Sequence, residues 1–182
     1  MKATGIVRRI DDLGRVVIPK EIRRTMRIRE GDPLEIFTDK EGQVILKKYS
    51  PIGELSDFAL QYADTLAKTS GHAICITDKD QIIAVSGIPK KDIADKKISS
   101  DIEKVMQEKT TFMAKPGEGK KIPIVDVMEN KYTAGVVVPI IAEGDTIGSV
   151  VFVNTDNNKQ MGEIETKLAQ SAASFLGKQM EQ

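Results

Sequence analysis

The 153 residues that follow Arg29 contain no arginine, although they carry eighteen lysines. That absence excludes an even spread of surface charge along the chain. Tryptophan is missing and aromatics are few, so any core must be built from Ile, Val, Leu, Met and Ala. Cysteine occurs once, as Cys75, which excludes an internal disulfide and fits a reducing compartment, the cytoplasm. One cysteine and one histidine, His72, cannot supply a structural zinc site, and no metal or cofactor is expected. The longest apolar runs, such as Ala134 to Ala142, are strand-sized and far short of a bilayer span, so no membrane partner is expected. No apolar stretch follows Lys2, so the start does not read as a secretory signal.

What is present is concentrated. Arg8, Arg9, Arg15, Arg23, Arg24, Arg27 and Arg29 lie within 22 positions. With Lys2 and Lys20 they make nine basic groups against Asp11, Asp12 and Glu21, so the first 29 residues carry +6 while the whole chain sums to zero. A guanidinium is a rigid fork of donors that fits phosphate and the guanine edge, whereas lysine is a mobile point charge. A basic module on an acidic body points to a nucleic-acid-binding head.

The patterning divides the chain into a head at residues 1–50, a linker at 51–56 leading into a helix, and a body at 57–182. Residues 4–10 and 15–18 read as short strands around an Asp11–Gly14 turn. Pro19 suits a helix start, and Lys20 to about Arg27 places Ile22, Thr25 and Met26 on one face and Arg23, Arg24 and Arg27 on another. Residues 34–38 and 43–48 flank Asp39-Lys40-Glu41-Gly42 as a hairpin. So small a β-β-α-β-β unit, with no staple, buries too little surface alone, and an obligate dimer is expected.

In the body, Ile52, Leu55, Ala59, Tyr62 and Leu66 form a helical stripe that serves either a private core or pairing with another chain. Strands follow at 72–78 and 81–86, with His72 read as a surface residue at the strand entry. Ser100 with Glu103 reads as a capping box for a helix to about Glu108. A short strand at 110–114, a polar loop at 115–121, an extended stretch at 122–128 and strands at 134–141 and 146–154 come next. A last helix from about Gly162 to Met180 sets Ile164, Leu168, Ala172, Phe175 and Leu176 on its apolar side. The order implies an α+β domain with one antiparallel sheet and helices on a face.

The stretch Thr4 to Arg24, with its Leu13-Gly14-Arg15-Val16-Val17-Ile18-Pro19 core and short basic helix, resembles AbrB-type transition-state regulators of spore-forming bacteria. Gly31 to Ile36 and Val44 to Tyr49 fit the same family. The resemblance implies a swapped-hairpin β-barrel dimer and double-stranded DNA as partner. It also implies DNA contacts at Arg8, Arg15, Arg23 and Arg24, with Arg9 and Lys2 as auxiliary phosphate contacts. Arg27 and Arg29 stay open between DNA contacts and helix-end charges. Asp11 and Asp12 are read as turn formers or arginine partners. Val138 to Ile141 and Gly144 to Phe152 resemble the last hairpin of GAF sensor domains. A GAF-like body implies self-assembly, with a tetramer if its axis differs from the head's, and leaves an unidentified small-molecule ligand as a further partner. The Asn-Lys-x-x-Asp signature of cyclic-nucleotide GAF domains does not occur.

The expected function is therefore a sequence-tolerant, DNA-binding regulator of sporulation-type genes, reading backbone shape with a few arginines at base edges. Two competitors follow from the same residues. MazE-like antitoxins share the head but carry a disordered tail, whereas about 130 patterned residues follow here. An enzyme would need more than Cys75, read as a buried hydrophobe, and His72; Gly117-Glu118-Gly119-Lys120-Lys121 lacks the spacing of a phosphate loop.

Overall fold

The structure, a computed structural model, describes residues 4–115, 121–126, 131–155 and 160–181. It divides into two compact units, Met1–Tyr49 and Ser50–Gln182. The expected loop at 116–120 and the end of the expected extended stretch, residues 127 and 128, lie outside the described residues.

The first unit contains α1 (Lys20–Thr25) and a hairpin of β1 (Leu34–Thr38) with β2 (Val44–Lys48), paired antiparallel from Leu34↔Lys48 to Thr38↔Val44. Two of its turns repeat one device. Asp11 Oδ1 accepts the N–H groups of Leu13 and Arg15 at 3.1 and 2.7 Å, and Asp39 Oδ1 accepts those of Glu41 and Gln43 at 2.9 Å each. Gly14 and Gly42 follow at positive φ, 76° and 79°, where a side chain is costly. The expected strands at 4–10 and 15–18 do not form within the described residues of one chain. They have no ladder neighbour there, and their apolar side chains, Val7 at 89% and Ile10 and Val17 near 70%, stay exposed.

The second unit opens with α2 (Pro51–Glu54) and α3 (Ser56–Ser70). Ser50 caps α2 by accepting from the Gly53 N–H, and α3 ends on Gly71 at φ 70°. Next come β3 (Ala73–Asp78), β4 (Ile82–Ser86), α4 (Lys90–Ile93) and α5 (Ser100–Gln107). β5 (Phe112–Met113), β6 (Ile122–Pro123), β7 (Thr133–Ala142), β8 (Asp145–Asn154) and α6 (Glu163–Gln179) complete the chain. The antiparallel sheet runs β4-β3-β8-β7-β5, with β6 beside β7.

Successive residues of β3 and β8 enter opposite cores. Ile74, Ile76, Val150 and Phe152 join Ile52, Ala59 and Leu176 from α2, α3 and α6. Cys75, Val151 and Val153 join Ile102 and Val105 of α5. Helices therefore cover both faces rather than one, and the central strands read as continuous apolar runs because neither face meets water. The expected stripe is split between two helices, and Ile52 of α2 with Ala59 and Leu66 of α3 serves a private core.

Two local expectations are corrected. The cap of α5 is Ser99, whose buried hydroxyl accepts from the Ile102 N–H at 3.2 Å, rather than Ser100. On α6, Ile164 is 73% exposed and Phe175 41%, while Ala169, Ala172, Ala173 and Gly177 face the sheet. The reason is close approach: a Cβ on Gly177 would overlap the Ile141 carbonyl oxygen, so small residues must line the contact. Phe175 instead meets Phe58 and Tyr62 of α3, with ring centroids 6.0 and 5.6 Å away.

Candidate nucleic-acid interface

Arg8 and Arg9 are exposed on the chain that leads into the Asp11–Gly14 turn, and Arg15 is exposed on the chain that leaves it. The Asp11 N–H donates to the Arg15 carbonyl at 3.1 Å, which closes the turn. Arg15 Nε donates to Asp11 Oδ2 at 2.8 Å, so one edge of the guanidinium is fixed while the side chain remains 69% exposed. Asp11 thus serves as both turn former and arginine partner. Its carboxyl is held below the usual carboxylate range, first by the Arg15 backbone N–H and then by the Arg15 guanidinium.

Arg23 and Arg24 occupy the last turn of α1 and are exposed. Pro19, buried at the start of the helix, fixes its entry and accepts the Arg23 N–H at 2.9 Å. Cations at this end also favour the helix dipole. Arg27 behaves differently. It is half-buried at φ 53°, and its carbonyl accepts from Lys48 Nζ at 3.0 Å. Asp32 Oδ2 accepts the Arg29 N–H at 2.8 Å and lies 3.6 Å from Lys48 Nζ. The backbone of the segment after α1 is therefore pinned to the hairpin, a structural duty that Arg8, Arg9, Arg15, Arg23 and Arg24 do not share, although Arg29 is exposed as they are. The described geometry links Arg8, Arg9 and Arg15 through one turn and sets Arg23 and Arg24 on α1. Lys2 lies outside the described residues.

Elsewhere, Cys75 is fully buried and its thiol is pushed up to about 12, the opposite of an activated nucleophile. His72 departs from the sequence reading: its side chain is 8% exposed rather than at the surface, with Nε2 3.6 Å from Glu165 Oε1. A single histidine before an apolar strand gave no signal of a distant glutamate. Among the described residues no helix is long and apolar enough to cross a membrane.

The family described as the stage V sporulation protein T C-terminal domain, transcription factor, matches residues 54–181, and the MazE family, a bacterial antitoxin described as antidote-toxin recognition, matches residues 7–54. The chain is 56% identical over 185 aligned positions to the Bacillus subtilis stage V sporulation protein T, covering 100% of both chains. It is also 56% identical over 69 positions to the Bacillus subtilis transition state regulatory protein AbrB, covering 35% of this chain and 71% of that one. The GAF domain of a Coxiella burnetii phosphoenolpyruvate-protein phosphotransferase superposes with a TM-score of 0.55 at 15% identity, over 68% of this chain and 80% of that one, a likeness of fold alone. The chain belongs to the stage V sporulation protein T family of transcription factors.

Proposed function

We propose that this chain regulates sporulation-type genes by binding double-stranded DNA through Arg8, Arg9, Arg15, Arg23 and Arg24, on a head that two copies complete. The observation that carries this reading is that all five are exposed while every arginine of the chain sits in the first unit. An exposed guanidinium cluster on turns and a short helix, with no long recognition helix, suits phosphate backbones and groove shape more than base-by-base reading. Deformable, A·T-rich duplexes are the preferred sites.

Two copies are needed because Ile6, Val7, Ile10, Leu13, Val16 and Val17 have no cover in one chain. A swapped-hairpin barrel gives residues 4–10 and 15–18 the ladder partners that a single copy lacks. The body then pairs heads into a tetramer and senses a small molecule in the cytoplasm, at the nucleoid. The half-exposed Phe58, Tyr62 and Phe175 cluster favours such assembly through α3 and α6. The antitoxin alternative is weaker: the residues after the head form a folded unit with two cores, not a disordered tail.

The test is fluorescence anisotropy on A·T-rich and mixed duplexes at several salt concentrations. Neutralising roughly 6–8 phosphates per dimer gives a log–log salt slope of about −6. The Arg23→Ala/Arg24→Ala variant should lose most of the affinity and flatten the slope while keeping its fold and oligomer. A wild-type affinity that does not change with salt would overturn the reading.

A further inference from the structure

We propose that the body holds the head through a joint without slack at Tyr49–Ser50, in which Ser50 and Asp78 are positioning residues for DNA binding. The inference rests on the reading that the body pairs DNA-binding heads, and its first measurement is made without DNA.

Each unit is anchored on its own side of one peptide bond. On the head side, the Tyr49 N–H donates to the Pro33 carbonyl at 3.0 Å, one step beyond the last β1–β2 pair, Leu34↔Lys48. On the body side, Ser50 is half-buried and held from several directions. Its hydroxyl donates to Asp78 Oδ2 at 3.1 Å and accepts the Gly53 N–H at 3.1 Å. Its carbonyl accepts from the same N–H at 3.0 Å. Pro51 disfavours a helical residue before it, and Ser50 is accordingly extended, at φ −119° and ψ 99°. Ile52 is fully buried in the core it shares with Ala59 and Leu176. Between the anchored groups, a planar peptide leaves at most φ and ψ of Tyr49 and φ of Ser50 as soft torsions. A flexible linker would add a soft φ and ψ for every residue.

The Asp78 end is shaped to receive the hydroxyl. Asp78 ends β3 and is 7% exposed. Its Oδ1 accepts the N–H groups of Asp80 and Gln81 at 2.7 Å each, which fixes the carboxyl and leaves Oδ2 to Ser50. The turn is held from behind as well: the Asp80 carbonyl accepts the Ile98 N–H at 3.0 Å, and Gln81 bridges Lys97. A helix cap needs only the Ser50 oxygen. The proton of the same hydroxyl goes to β3, 28 positions away, which capping does not require. A Cβ on Gly53 would stand 2.9 Å from Ser50 Oγ and crowd it, so glycine there keeps the hydroxyl on both partners.

A joint of this kind lets the pairing of bodies set the spacing of heads. Two heads on one assembly engage a duplex with an effective concentration set by the stiffness and reach of what joins them. Slack at Tyr49–Ser50 spreads the second head over a larger volume and lowers that concentration.

The full chain is labelled with a thiol-reactive fluorophore at Lys40→Cys, exposed in the head's hairpin turn, or at Lys167→Cys, exposed on α6; Cys75 is fully buried and stays unlabelled. Time-resolved anisotropy without DNA reads the rotation of each unit. The slow rotational time should be the same at both positions. Inserting Gly-Ser-Gly between Tyr49 and Ser50 leaves the cap and the Asp78 bond in place. It should shorten that time about twofold or more at Lys40→Cys alone. It should also weaken binding about tenfold on a duplex long enough for two heads, but not on one that holds a single head, with the thermal midpoint of the body unchanged. Ser50→Ala should weaken the long-duplex affinity roughly two- to threefold, and Ser50→Thr, which keeps the hydroxyl, should restore it. A head label that rotates independently before any insertion would overturn the joint, as would an insertion that alters neither rotation nor long-duplex affinity. Ser50→Ala with a lower thermal midpoint but wild-type affinity overturns the positioning role of Ser50 and makes it a helix cap alone. Equal rotation in a chain that binds no DNA removes the arginine interface and leaves the joint; independent rotation in a chain that binds DNA does the reverse.

Discussion

Val7 and Phe152 are both large apolar residues, yet one is 89% exposed and the other fully buried. The contrast holds across their units. The body encloses its side chains in two cores on either side of a sheet, while the head leaves Ile10, Leu13, Val17, Ile36 and Val44 open to solvent. A lone hairpin and one six-residue helix cannot bury enough surface to offset chain entropy. The same chain therefore carries one unit that is complete as a single copy and one whose burial awaits a second copy. The arginines lie on the incomplete unit, so the proposed reading ties DNA binding to assembly.

The largest expected effect comes from breaking that asymmetry at the head. Val7→Lys together with Val17→Lys would cost within about 0.5 kcal/mol if these side chains were ordinary surface residues. If a second copy covers them, two buried charges per chain abolish the head dimer, and DNA affinity falls more than about a hundredfold. Sedimentation and anisotropy read both effects. An unchanged dimer would mean that the head is complete in one chain.

The body should break in the opposite way, from within one chain. Gly148 sits opposite Asp78 in the β3–β8 ladder, and a Cβ there would overlap the Thr77 carbonyl oxygen. Next to it Thr77 and Ser149 share a buried 2.7 Å hydroxyl hydrogen bond. Gly148→Ala should destabilise the body by about 3 kcal/mol, seen as an earlier thermal transition that does not depend on protein concentration. A concentration-dependent loss would point to an interface instead.

The comparison sharpens further on the twin turns. Asp11 and Asp39 make the same two backbone contacts, but only Asp11 also holds an arginine. Asp11→Ala should lower DNA affinity roughly three- to tenfold by freeing the Arg15 side chain, whereas Asp39→Ala should leave it unchanged. Equal effects would show that the turn, not the guanidinium, matters.

Legibility in the sequence followed the same division. The hairpin, α3, β3, β4, β7, β8 and α6 were readable because period and turn residues are local signals. Strands at 4–10 and 15–18 were readable as pattern but do not form in one chain, since a strand is defined by its neighbour. The exposed face of α6 was misread because close packing at Gly177 selects small residues, and hydrophobicity alone does not show that. Ser99 was passed over for Ser100 because Ser100 has a glutamate three residues on, Glu103, whereas Ser99 has Ile102 there and caps through its hydroxyl alone. The five arginines stood out through charge segregation, while His72 did not, because its partner Glu165 is 93 positions away.

The smallest effect concerns a clasp inside the body. Asp92 on α4 accepts from Lys131 Nζ at 2.8 Å and from the Tyr132 hydroxyl at 2.6 Å, tying α4 to the start of β7. Lys131 first, and Tyr132 next, hold the Asp92 carboxyl below its ordinary 3.8, with burial opposing. Asp92 in turn raises Lys131 above its ordinary 10.5 and Tyr132 above 10.0. A depressed carboxyl contributes stability that is present above its unfolded pKa and is lost as pH falls through the folded one. Raised lysine and tyrosine contribute below their unfolded values and lose that contribution as pH rises through the folded ones. The clasp is thus intact between the two ranges and loosens at both ends. The Lys131 end of the clasp is half-exposed, which weakens its ion pair, and asparagine can still accept from the Tyr132 hydroxyl, so Asp92→Asn should lower the thermal midpoint at neutral pH by only about a degree. It should also flatten the pH dependence below the carboxylate range and above the lysine range. The wild-type and variant midpoints should converge at both extremes, and a constant offset at every pH would assign the effect of Asp92 to packing rather than charge.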